Sequence, residues 1–222
     1  MRSQLMLFSL ASAALLAAPS CAMDSPGALE QAGFSAGCSG ADAVCLVGGI
    51  DAPIALGATL PVHIDLHVPG STSPMTPLVP VDSSVVGAEG YALTGKEEGV
   101  CAVLLCSPAG QVLDFIHVWV ERPAHLGFRR LHEDGSDLGR VERDFEMFVG
   151  DEAYLLIEPR AGLQPLLGYF PDATWSLEGQ AVALVDEGVG HRRRLMARTA
   201  GVSLLRASAA SLEACVEIEV LP

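Results

Sequence analysis

Lysine is almost absent from this chain: Lys96 is the only one among 222 residues. Bases of both kinds are scarce, with Lys+Arg 13 against Asp+Glu 27, and the formal net charge is −14. This excludes a nucleic-acid binder, which needs Lys and Arg to neutralise phosphates. It equally excludes docking on anionic lipid through a basic patch. The shortage is sharpest between Asp24 and Glu121, where Lys96 faces 11 acids alone. Aromatic residues make up 5% and hydrophobic residues 50%, so a core must be built from Val, Leu, Ala and Ile. The length suffices for one large or two small domains.

Long apolar runs are also lacking after the N-terminus. No later segment offers the ~18 uncharged apolar residues that a membrane-spanning helix requires. Motifs for chemistry are missing too. There is no Gly-x-Ser-x-Gly elbow, no glycine-rich phosphate loop ahead of a helix, and no Cys-x-x-Cys pair with matching downstream zinc ligands. The expectation is a protein that is not an enzyme and carries no cofactor.

What is present begins with an address. Arg2 precedes the uncharged run Leu5 to Ala18, and small residues follow, the tripartite pattern of a secretory signal. As a helix the run spans only ~21 Å, short of the ~30 Å hydrocarbon core. "APSC", Ala18 to Cys21, resembles a bacterial lipobox, which places lipidation on Cys21 after cleavage before it. Ordinary signal peptidase cutting after Ala22 is the alternative. The expected division is a signal segment over 1–21, with the mature N-terminus near Cys21, a first β-sandwich over 24–122 and a second over 123–222. The expected location is the outer membrane through a lipid anchor, otherwise the periplasm or the exterior.

Either cleavage leaves Cys38, Cys45, Cys101, Cys106 and Cys215, an odd number, in an oxidising compartment where disulfides are the default. Cys101 and Cys106 sit in "GVCAVLLC", which reads as one strand. Five steps at ~3.3 Å put them ~16 Å apart, beyond the ~7 Å reach of a bridge. The pairing read first is therefore Cys38–Cys45, with a ladder from Cys38 and Cys45 to Cys101 and Cys106 as the alternative. Cys215, without a partner in its own half, is the free-thiol candidate.

After residue 50 the pattern is short strands with turn signals. "TLPVHIDLHV" alternates, with Val62, Ile64, Leu66 and Val68 on one face and His63, Asp65 and His67 on the other. "DFIHVWVE" and the terminal "CVEIEVLP" alternate likewise. The halves repeat. "ALGATLPVHIDL" (55–66) matches "FVGDEAYLLIEP" (148–159) glycine on glycine, "LTGKEEGV" (93–100) matches "LMARTAGV" (195–202), and "IHVWV" matches "VEIEV". Each copy has the size of a small β-sandwich, with a seam near "ERPAHLG", where Pro123 interrupts a strand.

The second half resembles a bacterial immunoglobulin-like domain of group 2. The matching features are "VGDEAYLLIEP", "ATWSLEGQAVALVDEG", "LMARTAGVSLLRASA" and "ACVEIEV". The resemblance covers 124–222 and, more weakly, 50–121. It implies an all-β chain of two tandem immunoglobulin-like sandwiches in a secreted lipoprotein. It further implies that Cys101 and Ser203 point into the two cores, followed by Val103 and Leu205. Members of the family are fold modules of adhesins and envelope proteins, so the expected partner is an envelope or surface protein or a glycan, with contact to membrane only through the lipid anchor.

Four constellations bear on chemistry. His63, Asp65 and His67 share a strand face and are ligands suited to Zn, Cu or Fe, which makes a metal-binding protein the alternative function; the plain reading is a solvated face. Glu133, Asp134 and Asp137 in "HEDGSDLG" read as a turn rather than a calcium loop. "HRRRLMAR" (191–198) reads as a solvated run leading into a strand, with an acidic partner as the alternative. Phe115, His117 and Trp119 face away from Ile116 and Val118; exposed, they form a binding patch, but the reading taken is that they lie buried between the two halves.

Overall fold

A computed structural model describes residues 24–37, 48–67, 77–132, 136–185 and 192–222, all strand, turn or loop without helix. Cys21, Cys38, Cys45, Glu133 and Asp134 lie outside the described residues.

The first ten strands are β1 (Ser25–Pro26), β2 (Ala32–Ala36), β3 (Gly48–Gly49), β4 (Ile54–Ala55), β5 (Thr59–Leu66), β6 (Val79–Pro80), β7 (Val86–Glu89), β8 (Ala92–Gly95), β9 (Gly99–Cys106) and β10 (Val112–Glu121). They form two sheets. One runs β1-β2-β5-β8-β7 with β3 beside β2; the other runs β4-β10-β9-β6. The next ten are β11 (His125–Leu131), β12 (Asp137–Val141), β13 (Asp144–Phe148), β14 (Glu152–Ala161), β15 (Gln164–Pro165), β16 (Thr174–Glu178), β17 (Val182–Val185), β18 (Arg192–Ala197), β19 (Gly201–Ala209) and β20 (Leu212–Leu221). They repeat the plan as β12-β11-β14-β18-β17, with β15 beside β14, against β13-β20-β19-β16.

The repeat seen in the sequence is thus a repeat of topology. In each half the short strand β4 or β13 pairs in parallel with the last strand, and every other pairing within the four-stranded sheets is antiparallel. In each half the first, second, fifth and fourth main strands pair in that order, and the third, sixth and seventh make the opposing sheet. That is the strand order of an immunoglobulin-like sandwich. The chain is two such sandwiches in tandem.

Period-2 alternation fills each core. Along β20 every second side chain from Ala214 to Val220 is buried and the intervening ones are exposed. Val62, Leu93, Val103 and Val118 meet in the first core, and Leu155, Leu195, Leu205 and Ile218 in the second. Cys101 and Ser203, at matching positions, are both buried. Each reaches the entry to the strand opposite. Asp82 N–H lies 3.4 Å from Cys101 Sγ, and Val182 N–H donates to Ser203 Oγ at 3.2 Å.

The two sandwiches are joined by backbone. Residues 53–59 of the first run beside residues 167–169 of the second. Ala55 N–H donates to the Leu167 carbonyl at 2.9 Å, and Leu167 N–H to the Pro53 carbonyl at 2.7 Å. Thr59 and Tyr169 exchange both of their bonds at 2.8 Å. Small residues permit this approach: a Cβ on Gly168, whose φ is +93°, would lie 3.1 Å from both Ala58 Cβ and the Thr59 oxygen. Ala55 and Ala58, fully buried, join the core of the second sandwich, and Leu167 packs on the first.

Candidate interaction surface

The outer faces of the two four-stranded sheets occupy matching positions and differ in chemistry. The registers fix the match: Gly99 pairs with Val120 and Trp119 with Val100, as Gly201 pairs with Val220 and Glu219 with Val202.

On the first sandwich the face is a lattice of three strands. Trp119 lies beside Val100. The next row is His117 and Ala102, with Val81 bonded through its N–H to the Ala102 carbonyl. Phe115, Leu104 and Val79 form a third row, and Val112 and Cys106 a fourth. None of these side chains carries a carboxylate, lysine or arginine. Val81 is 67% exposed, Val100 54%, Trp119 48% and Val79 45%. The Phe115 and His117 rings meet edge to face, 5.5 Å between centroids. The expectation that this aromatic face lies buried between the halves is therefore corrected. The junction uses the turn before β5, and the sheet face stays open to solvent.

On the second sandwich the same positions of β20 carry Glu213, Cys215, Glu217 and Glu219, all exposed. Arg206 on β19 binds Glu178 of β16 at 3.4 Å. Beside them Asp144 and Glu146 of β13 complete an acidic stripe around an open hollow of about 320 Å³. An antiparallel sheet with one solvated face ordinarily alternates apolar-in, polar-out. Strand β20 of the second sandwich obeys this, although Val202 on β19 is exposed, and β10 of the first does not. The fold therefore tolerates charge at these positions and does not itself require the apolar face.

His63 and Asp65 share the exposed outer face of β5, as period 2 requires, and His67 is exposed just past its end. No three His, Cys, Asp or Glu side chains among the described residues are arranged to hold a metal ion. The glycine match puts Asp65 where the second sandwich has Glu158. That glutamate is buried among Arg129 at 2.5 Å, Arg160 at 2.6 Å and Arg140 at 3.0 Å. Asp137 pairs with Arg129 and accepts the Gly139 N–H at 2.8 Å, closing its own turn. Arg192, Arg193 and Arg194 of "HRRRLMAR" stand within strand β18 rather than in a loop before it. Arg192 lies over the Tyr154 ring at 5.9 Å, Arg193 over Trp175 at 5.7 Å, and Arg194 bridges to Glu152 at 3.2 Å. The cluster is engaged within its own sandwich. Strand β9 runs unbroken through Cys101, which faces the core, and Cys106, which is half-buried on the outer face. Cys215 is an exposed thiol opposite Arg206.

One residue was missed in the sequence. Asp114 is fully buried at the head of β10, and its carboxylate accepts the backbone N–H groups of Leu29, Gln31, Ala32 and Phe115, each at 2.8 Å. Burial pushes its pKa up, but the four N–H donors outweigh this and hold it below the usual carboxylate range. The signal was present, since Asp114 falls on the same period-2 face as Ile116.

No family model matches the chain, and no curated protein matches it. Among solved structures it is similar to domains 4 and 5 of the S-layer protein SbsC, at 12% identity over 72% of this chain and 82% of that one, with a TM-score of 0.31. It is similar to invasin, a bacterial integrin-binding protein, at 11% identity over 89% of this chain and 41% of that one, with a TM-score of 0.31. It is also similar to a tandem pair of titin immunoglobulin domains, at 13% identity over 77% of this chain and 95% of that one, with a TM-score of 0.26.

Proposed function

We propose that this protein is a non-catalytic binding module of the bacterial cell envelope, and that the outer face of β6, β9 and β10 is the surface that meets its partner. In this reading the N-terminal segment exports the chain and Cys21 carries the lipid that holds it at the outer membrane. The two sandwiches, over 24–122 and 123–222, then follow the anchor, with the apolar face on the first.

One observation carries the reading. Two copies of one fold, matched residue by residue, place Trp119 and His117 where the other places Glu219 and Glu217. Exposed apolar patches mark contact sites on soluble proteins, and depletion of charge with enrichment of aromatics is the signature of an interface centre. A protein partner suits the surface better than a glycan, whose hydroxyls need many hydrogen-bonding groups; only His117, Trp119 and Cys106 on this lattice carry a polar hydrogen.

Native gel electrophoresis of gently solubilised envelopes tests this. The natural protein and Val202→Glu are expected to migrate in one complex, while Trp119→Glu migrates as the lone chain. Identical migration of all three contradicts the proposal.

A further inference from the structure

We propose that residues 24–31 form a strap that opens while the sandwich behind it stays folded, and that the Asp114 carboxylate is its latch. Resting on the reading that Cys21 carries the lipid, the strap is the part of the chain next to the anchor, and its opening lengthens the tether.

The strap is held by polar bonds rather than by packing. Gly27 is its one buried residue, and Leu29 is 48% exposed. The core begins behind it, at Ala32 and Phe34, both fully buried. Pairing with β2 is confined to Ser25 opposite Phe34, Pro26 opposite Gly33 and the Gly27 N–H on the Ala32 carbonyl. Proline has no N–H to give to a ladder. A segment that buries so little apolar surface opens at low free energy, separately from the strands beneath it.

What holds the strap is gathered on one group. Asp114 belongs to β10, in the sheet opposite β1 and β2. Its Oδ1 accepts the N–H groups of Leu29 and Phe115, and its Oδ2 those of Gln31 and Ala32, each at 2.8 Å. Ala28 N–H donates to the Phe115 carbonyl at 2.8 Å, and away from β10 the Gln31 carbonyl accepts the His67 N–H at 2.8 Å. The turn also carries strain. Glu30 has a φ of +56°, in the left-handed region where a side chain is costly. Hydrogen bonds to a carboxylate are roughly twice as strong as neutral ones, so the latch offsets the strain of a turn that no packing supports.

Ala32 is the hinge. It is tied into the sheet opposite Leu66 and marks how far opening runs. Eight residues of strap, extended at ~3.3 Å each, add about 26 Å between Cys21 and the first sandwich.

Hydrogen exchange of single amides, followed by NMR on the purified full chain in low urea, reads the strap directly. The amides of Ala28, Leu29 and Gln31 are expected to exchange at least ~100-fold faster than those of Val103 and Leu105 in β9, with little dependence on urea, because local opening exposes little surface. Asp114→Asn is expected to speed exchange at the three strap amides at least ~10-fold. Glu30→Gly relieves the left-handed strain and is expected to slow it several-fold, a change that general loss of stability cannot produce. Where Asp114→Asn does not fold, Gly27→Ala takes its place with the same expected direction, since its Cβ would stand 2.2 Å from the carboxylate. Strap amides that exchange in step with β9, at the same urea dependence, overturn the separate opening. Strap exchange that is unchanged in the latch variant overturns the role of Asp114. These readouts require neither the lipid nor the partner, so a failed strap and a failed contact face are told apart.

Discussion

At the scale of single residues, Asp114 shows how a position that breaks the pattern can carry local structure. In "DFIHVWVE" the alternation places it inward, where a carboxylate reads as a defect. Three of its four donors come from the turn at 27–32, more than 80 positions away in the chain, so no local motif announces them. Gly27 makes room: a Cβ there would lie 2.2 Å from the carboxylate. Asp114→Asn replaces an acceptor oxygen with a donor amide among N–H groups. It is expected to destabilise the protein by about 2–4 kcal/mol at neutral pH. Because the folded pKa is depressed, the contribution is complete above the unfolded value of ~3.9 and disappears as the pH falls through the folded value. Urea titrations between pH 7 and pH 3 check this: the natural protein loses stability on the acid side more steeply than Asp114→Asn. Parallel curves refute the role assigned to the charge.

At the scale of elements, much was legible. The glycine-anchored repeat, the alternation of β5, β10 and β20, and the inward positions of Cys101 and Ser203 all follow from spacing or from family resemblance. Exposure was not legible, because period 2 tells which side chains share a face but not what covers that face. The junction explains the difference. In both sandwiches the turn before the second main strand has the same backbone bonds: Leu56 N–H to the Glu121 carbonyl at 2.9 Å, and Val149 N–H to the Leu221 carbonyl at 2.9 Å. In the first, Ala55 N–H donates to the Leu167 carbonyl of the neighbouring sandwich, and Ala58 packs into that sandwich's core. In the second, Phe148 N–H is capped at 2.9 Å by Asp151, the residue standing where Ala58 does. One substitution thus distinguishes a joined turn from a closed one. Ala58→Asp transfers the closed form to the junction, and Gly168→Val blocks it from the other side. The natural protein is expected to unfold in a single calorimetric transition and each variant in two, with the cores intact. A single transition in the variants contradicts the coupling.

At the scale of the whole molecule, the protein carries three surfaces of different chemistry: an acidic stripe and an arginine-held sheet on the second sandwich, and an uncharged aromatic face on the first. The junction fixes the first and second sandwiches side by side through four backbone bonds, so these surfaces keep their mutual orientation. The central claim is that the uncharged face is a contact surface, and site-specific photo-crosslinking in living cells tests it most directly. A photoreactive side chain is placed at Val100 in one protein and at the matching Val202 in another; both positions are about half exposed, at 54% and 53%. A covalent adduct is expected from position 100 and none from position 202. Equal labelling at the two positions, or none at position 100, would contradict it.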